Sequence, residues 1–201
     1  MKIDLHVHAK ERSGCSVSGE QEIIASARAR GLDALAFTDH ERLVPASRLA
    51  ELNRLNAPFR IFSGIELHTA EEEDVLVFGI QDPRIESMHW PYEDLYRFVR
   101  ERSGFMALAH PFRYRDTINV DLRKFRPDAI EARSTNVPEH AVARIIRTAG
   151  DLGCAMLYAS DAHRAEDVGS FHVCLSSAAD SDFALVSLLR SRTYACCALS
   201  D

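Results

Sequence analysis

Short, continuous apolar runs alternate along this chain with segments whose apolar residues recur at helical spacing. The runs at residues 2–8, 34–37, 59–65, 75–80, 105–109, 129–130, 154–159, 171–175 and 193–198 read as strands, and Ala34-Leu35-Ala36-Phe37 is apolar on both faces, as in a buried parallel sheet. Between them, Ser18-Gly19-Glu20-Gln21 has capping-box spacing and opens a helix with Ile23, Ile24 and Ala27 inward, which Gly31 is placed to end. Pro45 opens a helix carrying Leu49, Leu52 and Leu55; Pro91 opens one carrying Leu95, Phe98 and Val99, stopped by Gly104. Pro138 opens a third, with Val142, Ile145, Ile146 and Ala149 inward and Gly153 at its end, and residues 182–189 predict the last helix. Strands alternating with helices across short loops argue a parallel sheet with helices outside. An open doubly wound sheet calls for a glycine-rich phosphate loop after its first strand, and Ala9-Lys10-Glu11-Arg12 is not one. The expectation is an α/β barrel, built as one domain over residues 1–201.

The polar residues that punctuate this pattern fall where a barrel puts its chemistry, at the C-terminal ends of the strands. His6 and His8 lie two apart in the first run, so a strand presents both imidazoles on one face, half of a divalent-metal site. Asp39 and His40 end the second run and Glu66 the third; His110, Glu131, Asp161 and His163 end later ones. Each pair has a plainer use. Asp39 suits a helix cap, His110-Pro111 a turn, and Glu131 a surface pair with Arg133. Asp161 and His163 are harder to place without a partner or a metal if buried. His68, His89, His140 and His172 fall off the pattern and read as structural or surface residues.

Composition narrows the partners. A net charge of −6 over 201 residues, with 46% hydrophobic and 27% charged residues, fits a soluble globular protein and argues against nucleic acid or an anionic membrane as partner. Five cysteines show no Cys-x-x-Cys spacing, and the three inside apolar runs (Cys154, Cys174, Cys196) read as small hydrophobes that serve packing. The first run starts at residue 2 or 3 with no charged-then-apolar leader, which predicts a reduced, cytoplasmic compartment.

Asp4-Leu5-His6-Val7-His8, then Gly31-Leu32-Asp33-Ala34-Leu35-Ala36-Phe37-Thr38-Asp39-His40, Gly64-Ile65-Glu66, Ala109-His110-Pro111 and Ser160-Asp161-Ala162-His163 together resemble the PHP (polymerase and histidinol phosphatase) superfamily over essentially the whole chain. The resemblance implies a distorted (β/α)7 barrel, TIM-like, with up to three divalent metals (Zn, Mn or Fe) at its mouth. It places His6, His8, Glu66 and Asp161 at a first metal, Glu66 and His110 at a second, and His40 and His163 at a third. Two positions depart from it: the loop Arg12-Ser13-Gly14-Cys15 offers only Glu11 or Cys15 as a ligand, and Gln81 stands where some members carry a histidine. Water, phosphate or Glu131 would complete those sites. The activity implied is hydrolysis of a small phosphorylated substrate, a phosphomonoester or nucleotide-like ester, by a metal-activated water. Asp161 is then catalytic as well as a ligand, and His40 or His163 protonates the leaving group. Arg113, Arg133 and Arg164 follow ligand positions and are candidates for gripping phosphate. An amidohydrolase-like C–N or C–O hydrolase and a non-catalytic module with a structural metal site are the alternatives. The few lysines fall off the strand ends, which disfavours a carbamylated-lysine centre.

Overall fold

The structure, a computed structural model, describes residues 1–86 and 89–199. Among them are nine strands: β1 (Lys2–Val7), β2 (Ala34–Phe37), β3 (Arg60–His68), β4 (Asp74–Phe78), β5 (Phe105–Leu108), β6 (Ala129–Arg133), β7 (Ala155–Tyr158), β8 (Phe171–Leu175) and β9 (Tyr194–Ala198). Five α-helices connect or flank them: α1 (Glu20–Ala29), α2 (Ala46–Asn56), α3 (Tyr92–Glu101), α4 (Glu139–Leu152) and α5 (Asp182–Ser191). One continuous sheet runs β7-β6-β5-β4-β3-β2-β1-β8-β9. It curls almost shut, and its two ends meet where the Tyr194 hydroxyl donates to the Met156 carbonyl at 3.0 Å.

The closure is tightest at the mouth. Beyond β7 the chain continues far enough for the His8 N–H to donate to the Ala162 carbonyl (2.9 Å) and the Ala162 N–H to the His6 carbonyl (3.2 Å). β1 to β7 therefore ring that end, while β8 and β9 fill the gap below. A barrel-like α/β fold is as expected; the regular strand–helix alternation is not. β4 runs antiparallel to both β3 and β5, and β8 antiparallel to both β1 and β9. The cause is chain length. Only residues 69–73 join β3 to β4, far too few for the crossover that parallel neighbours need.

Inside the barrel the side chains are small. Ala34, Ala36, Ala107, Ala109, Ala129, Ala155 and Ala159 share one core with Phe62, Phe78 and Phe105, and α5 adds Leu185, Val186 and Leu189. The intervening residues, such as Ile65, Leu67, Val75, Val77, Met106 and Leu108, face outward beneath α3 and α4. Leu35, Phe37 and Ile61 do the same beneath α1 and α2. β1 changes face partway. Ile3 and Leu5 belong to the interior core, yet Val7 belongs to the outer one, because the pairing with β2 slips by a residue between Asp4 and Val7. Bulges of this kind re-aim side chains beside functional sites. Here the bulge turns His6 and His8 inward at the mouth. At α1 the capping differs by one residue from the expectation: Gly19 is the N-cap, with its N–H donating to Glu22 Oε2 at 2.8 Å, and the Ser18 hydroxyl accepts instead from the Ala165 N–H. Among the described residues no helix is long and apolar enough to cross a membrane.

Candidate metal centre

Strand ends bring the ligand-type residues to one place. His6, Glu66, His110 and Asp161 each offer an atom within 4.8 Å of the others, all four buried, and His8, His40 and His163 form a second such group beside them. His6 Nε2 lies 3.2 Å from Glu66 Oε2 and 3.2 Å from Asp161 Oδ1; His8 Nε2 lies 3.1 Å from Asp161 Oδ1 and 3.2 Å from Glu66 Oε2. His40 Nδ1 reaches Glu66 Oε2 at 3.1 Å and His110 Nε2 reaches Glu66 Oε1 at 2.9 Å. Glu66 is thus the shared carboxylate of both groups. The His8 ring stacks between His40 and His163, with ring centres 4.4 and 4.3 Å away.

Loop contacts hold the centre in shape. Asp39 is not a helix cap, since α2 begins only at Ala46. Its carboxylate accepts from the Ala9 N–H (2.7 Å), Ser13 Oγ (2.9 Å) and Arg12 Nε (2.6 Å), pinning the loop after β1. Two ligand-type residues sit on strained backbone, Asp161 at φ 54° and His110 at φ 22°, the left-handed region that side chains with a Cβ rarely occupy. Glu131 lies behind the cluster instead of in it. Its Oε1 is 2.9 Å from His6 Nδ1, and its Oε2 accepts from the His110 N–H at 2.9 Å. A carboxylate on the far nitrogen fixes the tautomer that leaves Nε2 free for a cation.

The electrostatics follow from packing carboxylates and imidazoles together out of water. Burial pulls the His6 pKa down, but Asp161, Glu66 and Glu131 outweigh it and hold the ring well above the ordinary histidine value. His8 is likewise raised, and His110 is carried to about 9, each against burial, by Glu66 among others. Burial pushes Glu66 and Asp161 up, yet the neighbouring imidazoles win and both carboxyls fall below their usual range. His40 and His163, nearer the rim, are lowered, chiefly by burial. At the middle of the cluster, His6 Nε2 and Glu66 Oε2 are buried with polar neighbours at 3.1–3.2 Å but no well-aligned hydrogen bond. Imidazole nitrogens and carboxylate oxygens converging from several strands onto one buried point without aligned hydrogen bonds fit one or more divalent cations.

The expected phosphate-gripping arginines separate in the structure. Arg113 is at the mouth, its guanidinium 3.5 Å from Asp161 Oδ2 and donating to Asn136 Oδ1 at 3.0 Å. Arg113 and Arg164 line a cavity of about 320 Å³ together with Cys15, Asn136, Asp161 and His163. Arg133 turns away and makes hydrogen bonds of 2.7 and 3.0 Å to Glu139 at the start of α4. Asn136 escaped the sequence reading. Its Nδ2 donates to Asp161 Oδ2 at 2.7 Å, so it orients the carboxylate, but an asparagine in a polar turn carries no periodic signal.

A curled α/β sheet with a buried imidazole–carboxylate cluster at its mouth defines the class of fold. No protein-family model and no curated protein matches the sequence. Solved structures match its fold. PsfC from Pseudomonas syringae matches 93% of this chain and 87% of its own, with TM-score 0.70 and 21% identity. A two-domain protein of Bacteroides vulgatus containing a predicted PHP-like metal-dependent phosphoesterase matches at TM-score 0.73 and 16% identity, over 98% of this chain and 64% of that one. The lesion-specific endonuclease EndoQ of Pyrococcus furiosus matches at TM-score 0.67 and 15% identity, over 94% of this chain and 56% of its own. The fold of this chain is the one these structures share, among them the predicted PHP-like metal-dependent phosphoesterase.

Proposed function

We propose that this chain is a metal-dependent phosphoesterase acting on a small phosphorylated substrate. The observation that carries the reading is the buried His6–Glu66–His110–Asp161 cluster, whose Asp161 lines a cavity of about 320 Å³ together with Arg113 and His163. Divalent cations held there, for which zinc, manganese and iron all suit the donor set, would supply charge for the phosphoryl oxygens and lower the pKa of water toward neutrality. His6, His8, Glu66, His110 and Asp161 would hold them, with His40 and His163 toward the rim. Glu131 and Asn136 orient His6 and Asp161. Arg113 binds the substrate's phosphate through N–H groups not used on Asn136, and Arg164, exposed on the cavity wall, sits where it reaches the rest of the molecule. His163 donates Nδ1–H to the Asp161 carbonyl at 3.0 Å, leaving its lone pair on Nε2. Burial lowers the pKa of both His163 and His40, which favours the neutral, cation-binding ring; whichever of the two holds no cation would relay a proton to the leaving oxygen.

Charge argues for a small substrate, since a net −6 repels a nucleic-acid backbone, but a structural relative is an endonuclease, so the test carries a DNA arm. Purified protein is analysed for metals, then assayed with manganese, zinc or iron on p-nitrophenyl phosphate, its bis ester, histidinol phosphate, nucleotides and single-stranded DNA. Hydrolysis of a small ester, abolished in Asp161→Ala and His8→Ala variants that stay folded, supports the reading. Near-normal turnover in either variant, or cleavage of DNA alone, refutes it.

A further inference from the structure

On the outer wall of the barrel, away from the mouth, β8 and β9 bring together a histidine and two cysteines that lie outside the strand-end pattern. His172 and Cys174 stand two apart on β8, and Cys197 on β9 pairs directly with His172, so all three share one face of the hairpin. Their donor atoms lie within 4.8 Å of one another. Cys174 Sγ and Cys197 Sγ are 2.7 Å apart. His172 is buried, and its Nδ1 hydrogen-bonds the Gly169 carbonyl at 3.2 Å.

We propose that His172, Cys174 and Cys197 form a second metal site, distinct from the cluster at the mouth, that takes a soft or borderline cation such as zinc. Two features support it. A backbone carbonyl on one ring nitrogen is the usual arrangement behind a ligating histidine, because it puts the lone pair on the other nitrogen. Two thiolates and one neutral imidazole cancel the charge of a divalent ion, and the half-exposed cysteines leave the fourth position open to water. The sulfurs are closer than a tetrahedral ion requires. With a metal–sulfur bond of about 2.3 Å, they stand about 3.7 Å apart, so a rotation of the half-exposed Cys197 side chain opens the site by about 1 Å. Binding releases both thiol protons to solvent and changes no oxidation state.

The donor chemistry separates this site from the mouth, whose candidate ligands are nitrogen and oxygen. Cys15 lines the mouth cavity, so the full chain is tested in a Cys15→Ser background. Fully reduced protein is titrated with Co²⁺, and the near-ultraviolet sulfur-to-cobalt charge-transfer band is followed alongside metal counts. The proposal expects the band to saturate at one ion per chain, to vanish in Cys174→Ser and in Cys197→Ser, and to persist in Asp161→Ala, which damages only the mouth. Zinc added in equimolar amount displaces the cobalt and bleaches it. Absence of the band from the folded Cys15→Ser protein overturns the proposal, as does its survival in both serine variants. So does mass spectrometry showing that Cys174 and Cys197 of the purified protein are joined as a disulfide that, once reduced, binds no ion.

Discussion

Replacing Glu131 with glutamine removes one negative charge from behind His6 while keeping the shape of a side chain that is fully buried. In the parent, both oxygens are used, one on His6 Nδ1 and one on the His110 N–H, each at 2.9 Å. The amide can accept only one of these. Its NH₂ group must face the other donor, so one buried donor is left unpaired at a cost of about 1–3 kcal/mol in stability. The effect on the centre is separate. Carboxylates behind ligating histidines are worth about 10–100-fold in metal affinity, or about 1.4–2.7 kcal/mol. Calorimetric titration of metal-free Glu131→Gln with Mn²⁺ should therefore show weaker binding at an unchanged number of ions per chain, and urea unfolding in chelator should show the stability loss. Affinity within twofold of the parent would mean that Glu131 only braces the fold. Loss of a whole ion per chain would make it a direct ligand, as the sequence reading allowed.

The remaining predictions concern the same cluster and its rim. In chelator, the raised imidazole pKa values stabilise the fold fully below the unfolded histidine value of about 6.5, and that contribution is lost as pH rises through the His110 value of about 9. The lowered Glu66 and Asp161 carboxyls contribute above about 4 and lose that as pH falls, so the Tm of the metal-free protein should peak between these limits and fall toward pH 10. Metal binding at pH 7 should release protons from His6 and His110, read as a buffer-dependent calorimetric enthalpy; a buffer-independent enthalpy refutes the protonation argued here. Arg113→Ala should raise KM for a phosphate ester about tenfold or more, whereas Arg133→Ala, which breaks only the pair with Glu139, should leave steady-state kinetics within twofold. Asn136→Ala should lower kcat and raise KM together, because it frees both the Asp161 carboxylate and the Arg113 guanidinium that it holds, and unchanged kinetics would remove Asn136 from the site.

By itself the sequence determined which residues would meet. Apolar runs ending in His6, His8, His40, Glu66, His110, Asp161 and His163 put the strand ends and the ligand-type atoms at the same address, because a curled sheet collects its strand termini at one rim. The motifs also carried the resemblance to the PHP superfamily, and a solved structure containing a predicted PHP-like phosphoesterase shares this fold. What local pattern could not contain is direction and register. Whether β4 runs up or down depends on the length of a loop, and the inward turn of His6 and His8 depends on a slip in pairing with β2. The side to which a polar residue turns is decided by neighbours distant in sequence. Thus Glu131 stands behind His6, Arg133 pairs with Glu139, Asn136 holds Asp161 and Cys174 meets Cys197. Periodicity records how a segment divides between core and solvent; only the closed barrel fixes which side chains share the space at its mouth and along its wall.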